Sequence, residues 1–115
     1  MKINGNFSTT EALEKLKEAG TEFTALFRHG TLEAAIYKPG ETDKQGPHER
    51  DELYIVIAGK GDFYCDGVLV PFEAGNFFFV PANTEHRFMN YGEDFSTWVF
   101  FYGPKGGEEQ IGYKE

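Results

Sequence analysis

Apolar residues recur along this chain in two patterns, helical at the front and strand-like from residue 23 onward. Ala12, Leu13, Leu16 and Ala19 follow helical spacing. Ser8 with Glu11 three residues later reads as a capping box, and Gly20 is placed to end the helix in a left-handed turn. The pattern predicts one short helix over residues 8–19. Glu11 and Lys15 add an i,i+4 pair on its polar side, so the apolar stripe is expected to lie on a sheet.

Beyond Gly20 the segments read as strands: Phe23 to Arg28, Leu32 to Tyr37, Glu52 to Ala58, Asp62 to Cys65, Val68 to Val70, Phe77 to Val80, His86 to Tyr91 and Phe95 to Tyr102. The separators are His29-Gly30, Pro39-Gly40, Gly59-Lys60-Gly61, Asp66-Gly67, Pro71 to Gly75, Pro81 to Glu85 and Gly92-Glu93-Asp94, made of residues that turns require on steric grounds. Eight or nine short strands at this spacing indicate a sandwich or small barrel. Two segments, Leu53 to Ile57 and Phe77 to Val80, are apolar on both faces. A strand with one face in water would alternate, so both of their faces need cover. The helix can supply part of it, and a homodimer packed sheet to sheet is expected to supply the rest.

With 115 residues the chain suits one domain, 1–115, in which 23–102 form the barrel and 103–115 leave as a flexible exit. Twelve Phe, 14 Gly and 5 Pro favour short strands and tight turns, which makes all-β the expected class. The formal charge is −8 and the basic residues form no cluster, so neither nucleic acid nor an anionic membrane is expected as a partner. No apolar run is long enough to span a membrane and the first residues carry no hydrophobic signal segment; with one cysteine, Cys65, this leads to the expectation of a cytoplasmic protein.

Candidate chemistry lies at two strand entrances. His48 and Glu52 stand four residues apart across the charged run Glu49-Arg50-Asp51, and His86 follows the turn at Pro81. On a straight strand His48 and Glu52 share a face; if the charged run turns, they lie on adjacent strands, and either arrangement permits joint ligation. Two imidazoles and a carboxylate brought together by a barrel are what a divalent metal requires.

These segments resemble the two motifs of the cupin family. In the first, G-x5-H-x-H-x3-E-x6-G, the second His falls on His48, the Glu on Glu52 and the closing Gly on Gly59. In the second, G-x5-P-x-G-x2-H-x3-N, the matches are Gly75, Pro81, His86 and Asn90. Two positions depart: the leading His of the first motif is Gly46, and the Gly after Pro81 is Asn83, which also tolerates a left-handed backbone. The resemblance implies a cupin-like jelly-roll barrel or sandwich with a short N-terminal helix. It also implies a divalent metal (Fe, Mn, Ni or Zn) held by His48, Glu52 and His86, with a small-molecule ligand in the cavity. Dioxygenase, isomerase or lyase chemistry would fit, and so would a non-catalytic, sensor-like binder with or without metal.

Strand parity pairs Tyr54 with Glu52 and Phe88 with His86, so both are expected to line the interior beside the ligands. Gln45, next to the vacant Gly46 position, is the third expected pocket residue and offers an amide oxygen. Arg87 should point away from the interior. Arg50 and His29 read as solvated, Cys65 as a small buried apolar group, and Trp98 as core.

Overall fold

The computed structural model describes residues 5–109. Its helix, α1, spans Thr9–Ala19; Ser8 accepts from the Glu11 N–H at 3.0 Å while the Glu11 carboxylate accepts from the Ser8 N–H at 3.0 Å, so the capping box closes in both directions. Gly20 ends the helix at φ 70°, where a Cβ would be strained. Among the described residues, no helix is long and apolar enough to cross a membrane.

Eight strands follow among the described residues: β1 Phe23–His29, β2 Leu32–Tyr37, β3 Asp51–Ala58, β4 Gly61–Cys65, β5 Val68–Phe72, β6 Phe77–Val80, β7 His86–Met89 and β8 Ser96–Tyr102. They form two antiparallel sheets, one ordered β1-β2-β8-β3-β6 and the other β5-β4-β7. The chain changes sheet between β3 and β4, between β5 and β6, between β6 and β7 and again between β7 and β8, which is the jelly-roll arrangement. Two boundaries differ from the sequence reading for local reasons. Pro71 lies inside β5, tolerated because β5 is an edge strand and needs no outward N–H there. Strand β7 stops at Met89 because Asn90 turns to φ 57°.

The core lies between the sheets, with Tyr37, Tyr54, Val56, Val80, Val99 and Phe101 from one facing Phe63, Phe72 and Phe88 from the other. Alternation is regular where it matters for the site: Glu52 and Tyr54 are fully buried, and His86 and Phe88 are buried while Arg87 between them is exposed. On the opposite face of the larger sheet, α1 sets Ala12 and Leu16 on Ile36, with Leu26, Ile57 and Trp98 around them. Trp98 is therefore half-buried beneath the helix and not in the inter-sheet core.

The helix leaves the far side of that face uncovered. Phe79, Leu53 and Phe100 lie in one cross-strand row, and Phe77, Ile55 and Trp98 in the next. Phe77 is 60% exposed, Phe79 45% and Ile55 38%.

Residues 103–109, read from sequence as the start of a flexible exit, lie back on the entrance to β3. The Gly106 N–H donates to the Glu49 carbonyl at 2.6 Å and the Glu108 N–H to Asp51 Oδ2 at 2.8 Å. Residues 110–115 of that exit lie outside the described residues.

Candidate metal centre

Glu52 is the second residue of β3, flanked by β6 and β8, and points into the space between the sheets. His86 opens β7 in the facing sheet. His48 sits in the loop three residues before β3 and remains half-buried at the rim. Two backbone bonds pull the turn that carries His86 against the loop that carries His48. Asn83, at φ 63°, donates its N–H to the His48 carbonyl, and the Ala82 N–H donates to Asp51 Oδ1 at 2.9 Å. Asn83 thus holds the left-handed turn at the position where the motif it resembles has a glycine, as the sequence reading expected.

The three side chains converge. A nitrogen from each imidazole and a Glu52 oxygen lie within 4.8 Å of one another, with His86 Nε2 at 3.2 Å and His48 Nε2 at 3.8 Å from Glu52 Oε1. The His86 ring is oriented by its other nitrogen, since only a protonated Nδ1 can donate to the Thr84 carbonyl 2.9 Å away. In the neutral ring this leaves the Nε2 lone pair to accept from the Tyr54 hydroxyl at 3.1 Å, with Glu52 Oε1 3.2 Å away. Both oxygens of Glu52 are buried, and neither has a hydrogen-bond partner among the described residues. A buried carboxylate with no donor, beside two imidazole nitrogens, calls for a cation, either a proton or a metal ion.

The proton alternative is visible in His86. Burial alone would depress its pKa, but the Glu52 carboxylate and the Thr84 carbonyl outweigh burial and raise it. Protonation gives Glu52 one donor and leaves its second oxygen unmatched. A divalent ion neutralises the carboxylate and uses both nitrogen lone pairs, so this donor set fits a metal of the kind that binds imidazole and carboxylate.

Tyr54 forms the floor of the cluster. Its hydroxyl lies 3.1 Å from His86 Nε2 and 2.9 Å from Gln45 Nε2. Burial, then the negative charge of Glu52, pushes this phenol well above its ordinary pKa, so it remains a proton donor. Gln45 reaches the cluster from the loop, with Oε1 3.2 Å from His48 Nε2. Phe88 lies one layer deeper, its ring 4.8 Å from Tyr54, 4.7 Å from Phe63 and 4.7 Å from Phe95, as part of the core. At the rim, a cavity of about 370 Å³ opens at His48, lined also by Glu33, Glu49, Arg50, Phe101 and Lys105; Glu52 and His86 are not among its lining residues. Arg50, read from sequence as solvated, is tied to the Thr31 carbonyl and to Glu33 and lies over the Phe101 ring. His29 is exposed at its hairpin. The Cys65 thiol is pushed up in pKa by burial, then by Asp66 and Glu52, which suits a packing role and not a redox one.

Two residues that organise the site carried no sequence signal. Asp43 is buried and accepts from the Tyr37 hydroxyl (2.7 Å), the Phe88 N–H (2.9 Å), the Gln45 N–H (3.0 Å) and Gln45 Nε2 (3.3 Å). Asp51 holds the 81–85 turn through one oxygen and the chain near Glu108 through the other.

A family model described as a cupin domain matches residues 34–102, the stretch from within β2 to the end of β8, with all three donors. An uncharacterized protein of Streptomyces coelicolor is 33% identical over 85 residues, which are 72% of this chain and 81% of that protein. A polyketide synthase named CurC from Streptomyces cyaneus is 28% identical over 94 residues, 81% of this chain but only 61% of its own length. Among solved structures, the DMSP lyase DddQ of Ruegeria pomeroyi superposes with a TM-score of 0.61 at 21% identity, covering 70% of this chain and 46% of that one, a likeness of fold.

Proposed function

The chain belongs to the cupin domain family, and from that membership we propose that it holds one divalent ion through His48, Glu52 and His86 and binds an oxygen-bearing small molecule at its open positions. Glu52 carries this reading: a fully buried carboxylate without a hydrogen-bond donor is costly in a metal-free protein and ordinary in a metal site. Three protein donors leave about three positions of an octahedral ion for ligand oxygens or water. Iron, manganese, nickel and zinc all accept this mixture of imidazole and carboxylate. When bound, such an ion supplies a Lewis acid and a template for the ligand's oxygens.

The chain's own residues define what enters. The cavity at His48 admits a small molecule, Phe101 walls one side, and the cations there are partnered, Arg50 with Glu33 and Lys105 with Glu49. The rim is therefore polar without a strong single-sign field, which suits a small organic acid, sugar acid or phenol. Tyr54 lies beneath the donors, its one proton directed to Gln45 Oε1 or His86 Nε2. Oxygenation, isomerisation or lyase chemistry on such a molecule fits the donor set, and the lyase among the structural neighbours agrees with that range. A non-catalytic binder is the second reading, favoured by Tyr54 itself: a phenol held protonated between Gln45 and His86 is a poor general base.

Elemental analysis of protein purified without chelator should find one divalent ion per chain, removable by chelation and restored by titration. Absence of stoichiometric metal, together with no binding on titration, would overturn the metal reading. Oxygen consumption by the iron form with small acids and phenols then separates an oxygenase from a binder.

A second copy of the chain is the proposed occupant of the uncovered sheet face. The two rows through Leu53 and Ile55 contain only apolar side chains, so two chains of charge −8 meet there without burying like charges. Phe79→Glu should convert a dimer, about twice the 13.0 kDa chain mass by light scattering, into a monomer with an unchanged circular-dichroism spectrum. A natural chain that is monomeric at tens of micromolar would sink this proposal.

A further inference from the structure

We propose that Gln45 is the fourth protein donor of the centre, its side-chain Oε1 taking the place that Gly46 leaves without a ligand; this rests on the metal reading above. The first observation is orientation. An amide can turn either end to a site, but the Gln45 Nε2 faces Asp43 Oδ2 at 3.3 Å and the Tyr54 hydroxyl oxygen at 2.9 Å. A carboxylate oxygen accepts only, so the NH₂ end belongs there and the carbonyl oxygen is turned toward His48.

The second observation is spacing. Neighbouring ligand atoms on an octahedral ion with bonds near 2.1 Å are about 3.0 Å apart. Gln45 Oε1 lies 3.2 Å from His48 Nε2, and Glu52 Oε1 lies 3.2 Å from His86 Nε2 and 3.8 Å from His48 Nε2. The Tyr54 oxygen completes the circuit, 3.2 Å from Gln45 Oε1 and 3.1 Å from His86 Nε2. Gln45 Oε1 thus stands in a ring of polar atoms whose separations, now those of hydrogen bonds, are close to those between neighbouring ligands of one ion. The third observation is rigidity. Asp43 holds both the backbone N–H and the side-chain NH₂ of Gln45, so placing the oxygen costs little further ordering when metal arrives.

The assignment explains how the chain does without the leading histidine of its family. One position along, a longer side chain reaches the same centre, and it brings a neutral oxygen in place of a nitrogen. The resulting set, two nitrogens and two oxygens, is harder than one with three imidazoles and favours manganese and iron more than the fully histidine-rich arrangement would.

The test is metal titration of the natural chain, Gln45→Ala and Gln45→Met, read by calorimetry and by the visible spectrum of the cobalt(II) form. Methionine keeps the volume and removes the amide oxygen, so it serves if alanine loosens the loop. Both variants should bind one ion per chain about ten- to a hundredfold more weakly, with a changed cobalt band shape reporting the altered donor set. Unchanged affinity and an unchanged cobalt spectrum in both would overturn the assignment while leaving His48, Glu52 and His86 as ligands. Failure of the natural chain to bind cobalt, manganese, iron, nickel or zinc would overturn the metal reading and this assignment with it.

Discussion

Glu52→Gln should bind a divalent ion at least about a hundredfold more weakly than the natural chain and yet, stripped of metal by chelator, melt at a higher temperature. Both halves follow from one geometry. The carboxylate provides the only formal negative charge among the donors His48, Glu52 and His86, so the amide loses most of the attraction for a dication. In the metal-free state the same carboxylate is fully buried, and a protonated His86 supplies at most one donor, leaving the second oxygen unmatched. Glutamine removes the charge, and its NH₂ stands within about hydrogen-bond distance of His86 Nε2, which lies 3.2 Å from the carboxylate oxygen it replaces. The gain should be about 1 kcal/mol, or roughly 4 °C in a domain of this size. Calorimetric titration with parallel melting curves in chelator reads both quantities. A variant that melts lower without metal, or that binds metal as the natural chain does, would show that Glu52 is not held in a metal-ready state.

Asp43→Ala should be the most destabilising single change near the site, costing about 4 kcal/mol, or roughly 15 °C in melting temperature. Asp43 joins the two sheets at the mouth, taking the Tyr37 hydroxyl from β2 on one side and the Phe88 N–H from β7 on the other. Strand β7 is the edge of its sheet, so without Asp43 the Phe88 N–H is buried with no strand beside it to accept. The Tyr37 hydroxyl is left similarly stranded; burial and then its bond to Asp43 raise its pKa far above the ordinary value, so ionisation offers no escape. Asp43→Asn, which keeps one acceptor oxygen, should lose about half as much. Denaturant melts of the two variants check the order. A loss in Asp43→Ala no larger than the roughly 0.5 kcal/mol of an ordinary surface change would refute the bridging role.

The sequence was informative where structure is encoded locally. Ser8, Glu11 and Gly20 define the helix through contacts within a few residues, and the Gly, Asn and Pro separators mark strand ends because each imposes its own backbone limits. The spacings from His48 to Glu52 and from Pro81 to His86 were legible because strand alternation and one tight turn convert spacing into direction. What stayed hidden depends on distant partners. Asp43 sits in a polar stretch, Glu41-Thr42-Asp43-Lys44-Gln45, that reads as an ordinary solvated loop, while its bond to Phe88 joins residues 45 apart. Asp51 reads as part of a charged run, but its partners are 31 and 57 positions away. Phe88 shares the parity of His86 and so faces inward, but parity gives no depth: the ring packs beneath Tyr54 with Phe63, Phe72 and Phe95.

Asp51 also makes the segment that follows β8 a neighbour of the chemistry. One oxygen grips the turn leading to His86, and the other grips the chain at Glu108, which returns to this corner after the final strand. A tag spliced just past Tyr102, or a cut there, would release that second grip and leave a half-solvated acid in the wall behind the ligand loop. Alterations between residues 103 and 109 are mechanically local to the rim, however remote they look on a linear map.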